Sequence, residues 1–320
     1  MCTAICYKNY FGRNLDYEHT FGEKVVITPR NYPIKFRNGE EYSNHYAITG
    51  MALAMNDYPL YFDATNEMGL SIAGLNFPDN AVYNGEIENK ENVTSFELIP
   101  YILCKCKSVC EAEEILKNIN ITDEAFCEDM RPTPLHWMIA DREKSVTLEQ
   151  TKDGLKTYEN SVGVLTNNPT FDMQMFNLRN YMAVSAKEAV NNFSDKIELK
   201  SYSKGMGAMG LPGDLSSASR FVRAAFVKLN SVWGDTEEER VNQFFHILYS
   251  VYQQKGCVVT KDGYEKTNYS SCCDTENGIY YYATYYNSRI YGIDMHKEDL
   301  NGDKLIEYDL CEKGKITILN

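Results

Sequence analysis

Met1-Cys2-Thr3-Ala4-Ile5-Cys6-Tyr7-Lys8-Asn9-Tyr10-Phe11-Gly12-Arg13-Asn14-Leu15-Asp16 opens the chain, and its reading decides the rest. Lys8-Asn9 is a turn signal, and the pattern predicts antiparallel strands over 2–7 and 11–16. That hairpin returns Arg13 and Asp16 to the N-terminus. A small residue after the initiator Met marks that Met for removal, so Cys2 is expected to become the mature N-terminus. It would then carry a thiol with a pKa of about 8.5 and an α-amine at about 7.7–8.0. One residue would supply both nucleophile and proton acceptor. Arg13 is positioned to stabilise the thiolate and Asp16 to hold the α-ammonium. A Met-Cys start occurs by chance in many chains; the Arg and Asp that follow give it weight.

Working outward, the early chain reads mostly as sheet, with strands at Val25–Pro29, Tyr46–Met55, Leu60–Asp63 and Leu70–Leu75. Two helices follow, each opened by a capping box: Thr94 with Glu97, and Ser108 with Glu111. In the second, Val109, Ala112, Ile115, Leu116 and Ile119 share one face, the mark of a helix packed on a sheet. Strands resume at 135–140, 145–150 and 162–166, a helix is expected over 172–189, and 204–213 is a Gly-rich loop. Helices are expected at about 216–230 and at 237–254, the latter with Thr236 and Glu239 as a third capping box. Sheet returns at 270–273, 279–285, 289–294, 305–308 and 316–319, with Asn301-Gly302 as a hairpin turn between apolar strands. His136 beside Trp137 reads as a core histidine. Sheet, helices, sheet, helices, sheet implies a layered α/β or α+β domain.

With 320 residues, 43% hydrophobic and 24% charged, the composition is that of a globular protein with a substantial core. No linker divides it, so residues 1–320 are expected to form one domain. No apolar run reaches the length of a membrane span, and the N-terminus lacks the layout of a secretion signal. A cytoplasmic location is expected. The net charge of −13 argues against nucleic-acid and anionic-membrane partners. Cys104, Cys106 and Cys110, and the adjacent Cys272-Cys273, fit no common zinc spacing and have no neighbouring His.

The start Met-Cys-Thr, Gly12-Arg13-Asn14-Leu15-Asp16, Ala73-Gly74-Leu75-Asn76-Phe77-Pro78, Leu135-His136-Trp137-Met138, Leu165-Thr166-Asn167-Asn168-Pro169, and Leu211-Pro212-Gly213-Asp214 followed by Ser219-Arg220-Phe221 together resemble the choloylglycine hydrolase family. That family contains the bile salt hydrolases and the penicillin V acylases. The likeness runs in order over nearly the whole chain. It implies the four-layer αββα sandwich (α+β) of the N-terminal-nucleophile hydrolases, with Cys2 in the cleft between two sheets.

Carried over residue by residue, the resemblance implies Cys2 as nucleophile, Arg13 near the sulfur, Asp16 and Asn167 on the α-amine, Asn76 in the oxyanion hole and Arg220 in support of the polar network. Each also has an ordinary explanation: Asp16, Asn76 and Asn167 as turn residues, Arg220 as a salt-bridged helix residue. Their joint occurrence in family order favours the chemistry. The resemblance further implies Leu15, Met55, Phe62 and Met130 as apolar walls of a pocket, residues that could equally be core. It implies no metal or organic cofactor, and a homotetramer with a contact near 195–213. Asn at position 76 resembles the bile salt hydrolase branch, where penicillin V acylases more often show Tyr. The expected reaction is hydrolysis of glycine- or taurine-conjugated bile salts. Penicillin V, an N-acyl homoserine lactone, or non-catalytic binding with Met1 retained stand as alternatives.

Overall fold

Two antiparallel sheets face each other in the computed structural model, which describes residues 1–320. The first runs Val164–Leu165, Cys2–Tyr7, Tyr10–Tyr17, Gly263–Asp274, Ile279–Thr284, Asn287–Asp294, with Val258–Thr260 added to the 263–274 strand. The second has eight strands, in the order Gly154–Glu159, Ser145–Thr151, Leu135–Ala140, Ser71–Asn76, Tyr58–Asn66, Ile48–Met55, Lys24–Thr28, Ile306–Asp309. One core joins Leu15, Met51, Leu75 and Met138 to Phe221, Phe244 and Leu248 of the helices Ser217–Asn230 and Glu237–Tyr249. A second core seats the helices Leu98–Lys105 and Val109–Leu116 on the eight-stranded sheet. The result is the four-layer αββα sandwich.

The N-terminal hairpin forms where its pattern places it. Tyr7 pairs with Tyr10 across Lys8-Asn9, and Cys2 pairs with Leu15. Lys8 takes a left-handed φ of 55° to make the turn. Gly12 is required by packing: a Cβ there would stand 2.0 Å from the Ser271 carbonyl oxygen of the neighbouring strand. Residues 2–5 are all buried, because one face of the strand meets the second sheet and the other meets helices. Among those helices, Ser217–Asn230 is capped by Ser216, whose Oγ accepts from Ser219 N, and it buries Phe221, Val222, Ala224 and Ala225. Phe221 and Val222 each contribute about 1.5–3 kcal/mol by burial. The same face carries Arg220 inward.

Several expectations are corrected. The helix expected over 172–189 spans only Phe171–Leu178, with a 3-10 turn at Arg179–Tyr181. Beyond it most residues to Val190 are exposed, Met182 at 85%. Thr94 is not a helix cap: it ends the strand Glu91–Thr94, which pairs with Ile119–Thr122, and the helix starts later, at Leu98. At Ser108 the hydroxyl caps Glu111 N, but the Glu111 carboxylate reaches back to Lys107 N instead of Ser108 N. Thr236 and Glu239 form the full box, and their helix ends at Tyr249. Asn301-Gly302 turns no hairpin, since Asn287–Asp294 lies in the first sheet and Ile306–Asp309 pairs with Lys24–Thr28 in the second. Residues 316–319 form no strand and are exposed. Tyr280 and Tyr282 are buried, with Tyr281 between them half-buried on the other face.

Candidate active site

The first two strands and the helix Ser217–Asn230 converge on Cys2. Its backbone nitrogen donates to Asn167 Oδ1 at 2.9 Å, and the same oxygen accepts from Arg220 Nη2 at 2.7 Å. Arg220 Nη1 donates to Cys2 O at 2.5 Å and to Thr3 Oγ1 at 2.7 Å, while its Nε donates to Leu215 O. Asn167 Nδ2 reaches across to Asn76 O at 2.6 Å, and Asn167 N donates to Ser217 Oγ at 2.8 Å. One carboxamide thus links the nucleophile candidate, the inward arginine and the end of the strand Ser71–Asn76. The side-chain amide of Asn76 makes no hydrogen bond within the chain and is half-buried, so its donors are free for a ligand.

Asp16 is fully buried beside this group. Thr267 Oγ1 donates to its Oδ1 at 2.6 Å, Arg220 Nη1 lies 4.0 Å from its Oδ2, and Oδ2 has no hydrogen-bond donor. Burial pushes its carboxyl pKa up, against the pull of Arg220, the N-terminal ammonium, Thr267 and Arg13. The Thr267 contact depends on a bulge: Asp16 pairs with Thr267 and Leu15 with Tyr269, leaving Asn268 as the extra residue. Ahead of Cys2, Met1 O accepts from Asp16 N at 2.9 Å, and the Met1 ammonium donates to Asp16 O at 2.7 Å and Glu265 Oε1 at 2.9 Å.

Arg13 is buried and donates from Nη1 to Phe62 O at 2.9 Å and Gly74 O at 2.6 Å. A second bulge frees the first of these carbonyls, because Met51 pairs with Asp63 and Ala52 with Tyr61, and Phe62 has no partner. Burial lowers the Arg13 pKa, but the charges of Cys2, Tyr269 and Asp63 outweigh it and the value is raised. Arg13 is a fixed cation facing the sulfur. Burial lowers the pKa of Arg220 against the charges of Asp16, Cys2 and Glu265.

The structure therefore brings all six polar candidates, Cys2, Arg13, Asp16, Asn76, Asn167 and Arg220, into one connected group. Of the four apolar ones, Leu15 is buried directly opposite Cys2, and Phe62 packs on the same core with its ring 5.6 Å from Phe21. Met55 ends the strand Ile48–Met55, and Met130 sits in the loop before Leu135. Both are half-buried and packed against none of the cores.

Three residues of the group escape the sequence reading. Asp63 is buried and accepts from Tyr269 Oη (2.8 Å), Tyr280 Oη (2.7 Å) and Ser271 Oγ (3.1 Å), and Ser271 Oγ in turn accepts from Arg13 N. Burial raises the Asp63 pKa against the Arg13 charge and those three hydroxyls. A carboxylate inside the apolar strand Tyr58–Asn66 is its only local signal. Glu265 and Thr267 lie on a strand that begins well before the expected 270.

What this arrangement can do is attack a carbonyl with the Cys2 sulfur, beside a permanent cation, with free amide donors at Asn76 and a buried carboxylate near the backbone nitrogen. The comparisons with known proteins agree in kind. Residues 2–308 match the family of linear amide C–N hydrolases described as the choloylglycine hydrolase family. The chain is 52% identical to a "bile salt hydrolase/transferase" of Lactiplantibacillus plantarum over the whole of both chains. It is 39% identical to a protein of the same name from Clostridium perfringens, again over both full lengths. The crystal structure of the C2A mutant of the Clostridium perfringens conjugated bile acid hydrolase superposes with a TM-score of 0.93 at 38% identity, covering 100% of each chain. A penicillin V acylase from Agrobacterium tumefaciens shares the fold, with a TM-score of 0.76 at 20% identity, covering 97% of this chain and 91% of that one.

Proposed function

Because the chain belongs to the choloylglycine hydrolase family of linear amide C–N hydrolases, we propose that Cys2, freed of Met1, hydrolyses the amide of glycine- or taurine-conjugated bile salts. The observation that carries the mechanism is the undonated oxygen Asp16 Oδ2, buried next to a nitrogen already held by Asn167. Cleavage after Met1 turns that nitrogen from an amide into an amine and moves the N-terminal charge from Met1 to Cys2. It also releases Glu265 and Asp16 O from the Met1 ammonium.

The α-amine takes the thiol proton as the sulfur attacks the amide carbon, and Arg13 stabilises the thiolate. The Asn76 amide donates to the oxyanion, an interaction typically worth about 2.7–4 kcal/mol. The α-ammonium then protonates the leaving amine, and glycine or taurine departs from a thioester on Cys2. Water, deprotonated by the same amine, hydrolyses the thioester and frees the bile acid. An amine in place of water makes the site a transferase, which the names of the bacterial relatives support. Leu15 and Phe62 supply apolar wall for the steroid, and we extend that wall to Met55 and Met130, half-buried side chains that no core claims.

We also propose that residues 1–320 fold as one domain and assemble as a homotetramer. The segment from Met182 to Met209 supports the assembly: it carries Met182, Phe193 and Tyr202 with at least 80% of each exposed, beside Val190, Leu199 and Met209. No helix is long and apolar enough to cross a membrane, and we assign the protein to the cytoplasm.

The test is amino-acid release from glycocholate and taurocholate, with Cys2→Ala as control and penicillin V in parallel. Release that disappears in Cys2→Ala supports both the nucleophile and the substrate class. Cleavage of penicillin V alone keeps the mechanism and overturns the substrate.

A further inference from the structure

His136 is fully buried behind the site and takes no part in the steps above. Its ring has three neighbours. Nδ1 faces Glu149 Oε1 at 3.0 Å, Nε2 faces Thr166 O at 2.8 Å, and one ring face stacks on Phe77 at 4.1 Å with an interplanar angle of 7°. In the strand register His136 pairs with Leu75 and Leu135 with Asn76. The imidazole is therefore wedged between the residue after Asn76 and the residue before Asn167.

The hydrogen-bond roles follow from the partners. A carbonyl oxygen only accepts, so Nε2 carries a proton. Glu149 Oε1 already accepts from Phe171 N at 3.0 Å, and its Oε2 from the same N–H at 3.3 Å. The Glu149 carboxyl is thus anchored to Phe171 where it faces Nδ1.

We propose that His136, held by Glu149, is a positioning residue for the amide hydrolysis, setting the separation between the Asn76 and Asn167 carboxamides. This rests on the nucleophile reading of Cys2. Asn76 ends a strand of one sheet and Asn167 lies in the loop just after the strand Val164–Leu165 of the other; they touch through one bond, Asn167 Nδ2 to Asn76 O. His136 is a second and stiffer link between the same two segments: it bonds the backbone of Thr166 and stacks on the ring of Phe77. Ser217 fixes Thr166 and Asn167 from the third side, through Thr166 Oγ1 to Ser217 O (3.1 Å) and Asn167 N to Ser217 Oγ (2.8 Å). Without the imidazole, Asn167 keeps its bond to the Asn76 backbone carbonyl but loses the strut behind it. The oxyanion donor and the amine holder then shift relative to each other and to the sulfur.

The test compares His136→Phe, which keeps a planar ring for Phe77 but no donor, with Glu149→Gln, which keeps a partner for Nδ1. In Glu149→Gln the amide nitrogen takes the Oε1 place and donates to Nδ1 of a neutral imidazole, and the amide oxygen takes the Oε2 place, 3.3 Å from Phe171 N. Displacement of a catalytic group by an ångström can cost about 10²-fold. We expect His136→Phe to lower kcat on glycocholate by roughly that factor with KM within about threefold, and Glu149→Gln to keep kcat near the wild-type value. The pH profile of Cys2 alkylation by iodoacetamide, which needs no substrate, is expected to be displaced in His136→Phe and unchanged in Glu149→Gln. If His136→Phe does not fold, Glu149→Leu is read against the same criteria. A lower melting temperature with kcat and alkylation profile unchanged overturns the proposal, as does an equal loss of kcat in Glu149→Gln. Wild-type protein that cleaves no conjugate overturns the substrate reading instead and leaves the alkylation profiles to decide this one.

Discussion

Arg220 Nη2 stands 2.7 Å from Asn167 Oδ1, and both side chains are buried against the backbone of Cys2. The carboxamide can accept from the arginine and from the Cys2 nitrogen at once because its oxygen has two lone pairs. The same arginine faces Asp16 at 4.0 Å. Its removal leaves the Asp16 carboxylate buried without its nearest charge.

Arg220→Leu is accordingly expected to cost about 3–5 kcal/mol of stability, as broken buried charge pairs do, and to abolish turnover. The double variant Arg220→Leu/Asp16→Asn should regain part of that stability in urea melts while remaining inactive. Full stability loss in both would mean that packing, and not the charge, is what Arg220 contributes.

Phe62→Ala should act on binding. Burial of an aromatic against a steroid contributes about 1.5–3 kcal/mol, so KM for taurocholate is expected to rise roughly ten- to a hundredfold while kcat changes little. The Arg13 contact is to the Phe62 carbonyl and survives the substitution. Steady-state kinetics on both conjugates checks this, and a fall in kcat at constant KM contradicts it.

Stability should fall at alkaline pH. Burial pushes the Cys273 thiol from 9.0 up to about 12, with Asp274 and Asp63 adding to it against Thr65. Burial likewise pushes Cys106 up to about 12, helped by Glu111 and opposed by Lys105. Between pH 9 and 12 the unfolded chain gives up these protons and the folded chain keeps them, so the unfolded state gains. Denaturant midpoints measured across that window should decline, and Cys273→Ala should make the decline shallower than in wild type. An identical slope in both would remove Cys273 from the account.

The parts legible in the sequence are those fixed by neighbours along the chain. The hairpin from Cys2 to Asp16 depends on a two-residue turn and a Gly, and Thr236 and Glu239 cap their helix three residues apart. What was not legible depends on distant partners. Residues 172–189 read as helix, yet Phe176 and Met182 are left facing outward, 67% and 85% exposed, and the helix stops at Leu178. Asp63 is defined by Tyr269, Ser271 and Tyr280, which are more than two hundred positions away. Asn301-Gly302 has a hairpin's residues but joins strands of different sheets, a fact held only in the pairing of Ile306–Asp309 with Lys24–Thr28. Cys2, Arg13 and Asp16 follow from the hairpin, whereas Asn76, Asn167 and Arg220 surfaced through a resemblance spanning the chain, since the meeting point draws on three separate strands, a loop and one helix.

The central claim is that Cys2, as the N-terminal residue, carries the acyl group. Intact-mass measurement of protein quenched during turnover of glycocholate tests it most directly. The account predicts a chain lacking Met1, part of it heavier by one cholyl group, with the adduct absent from Cys2→Ala. A turning-over enzyme that retains Met1, or an adduct that persists in Cys2→Ala, would contradict it.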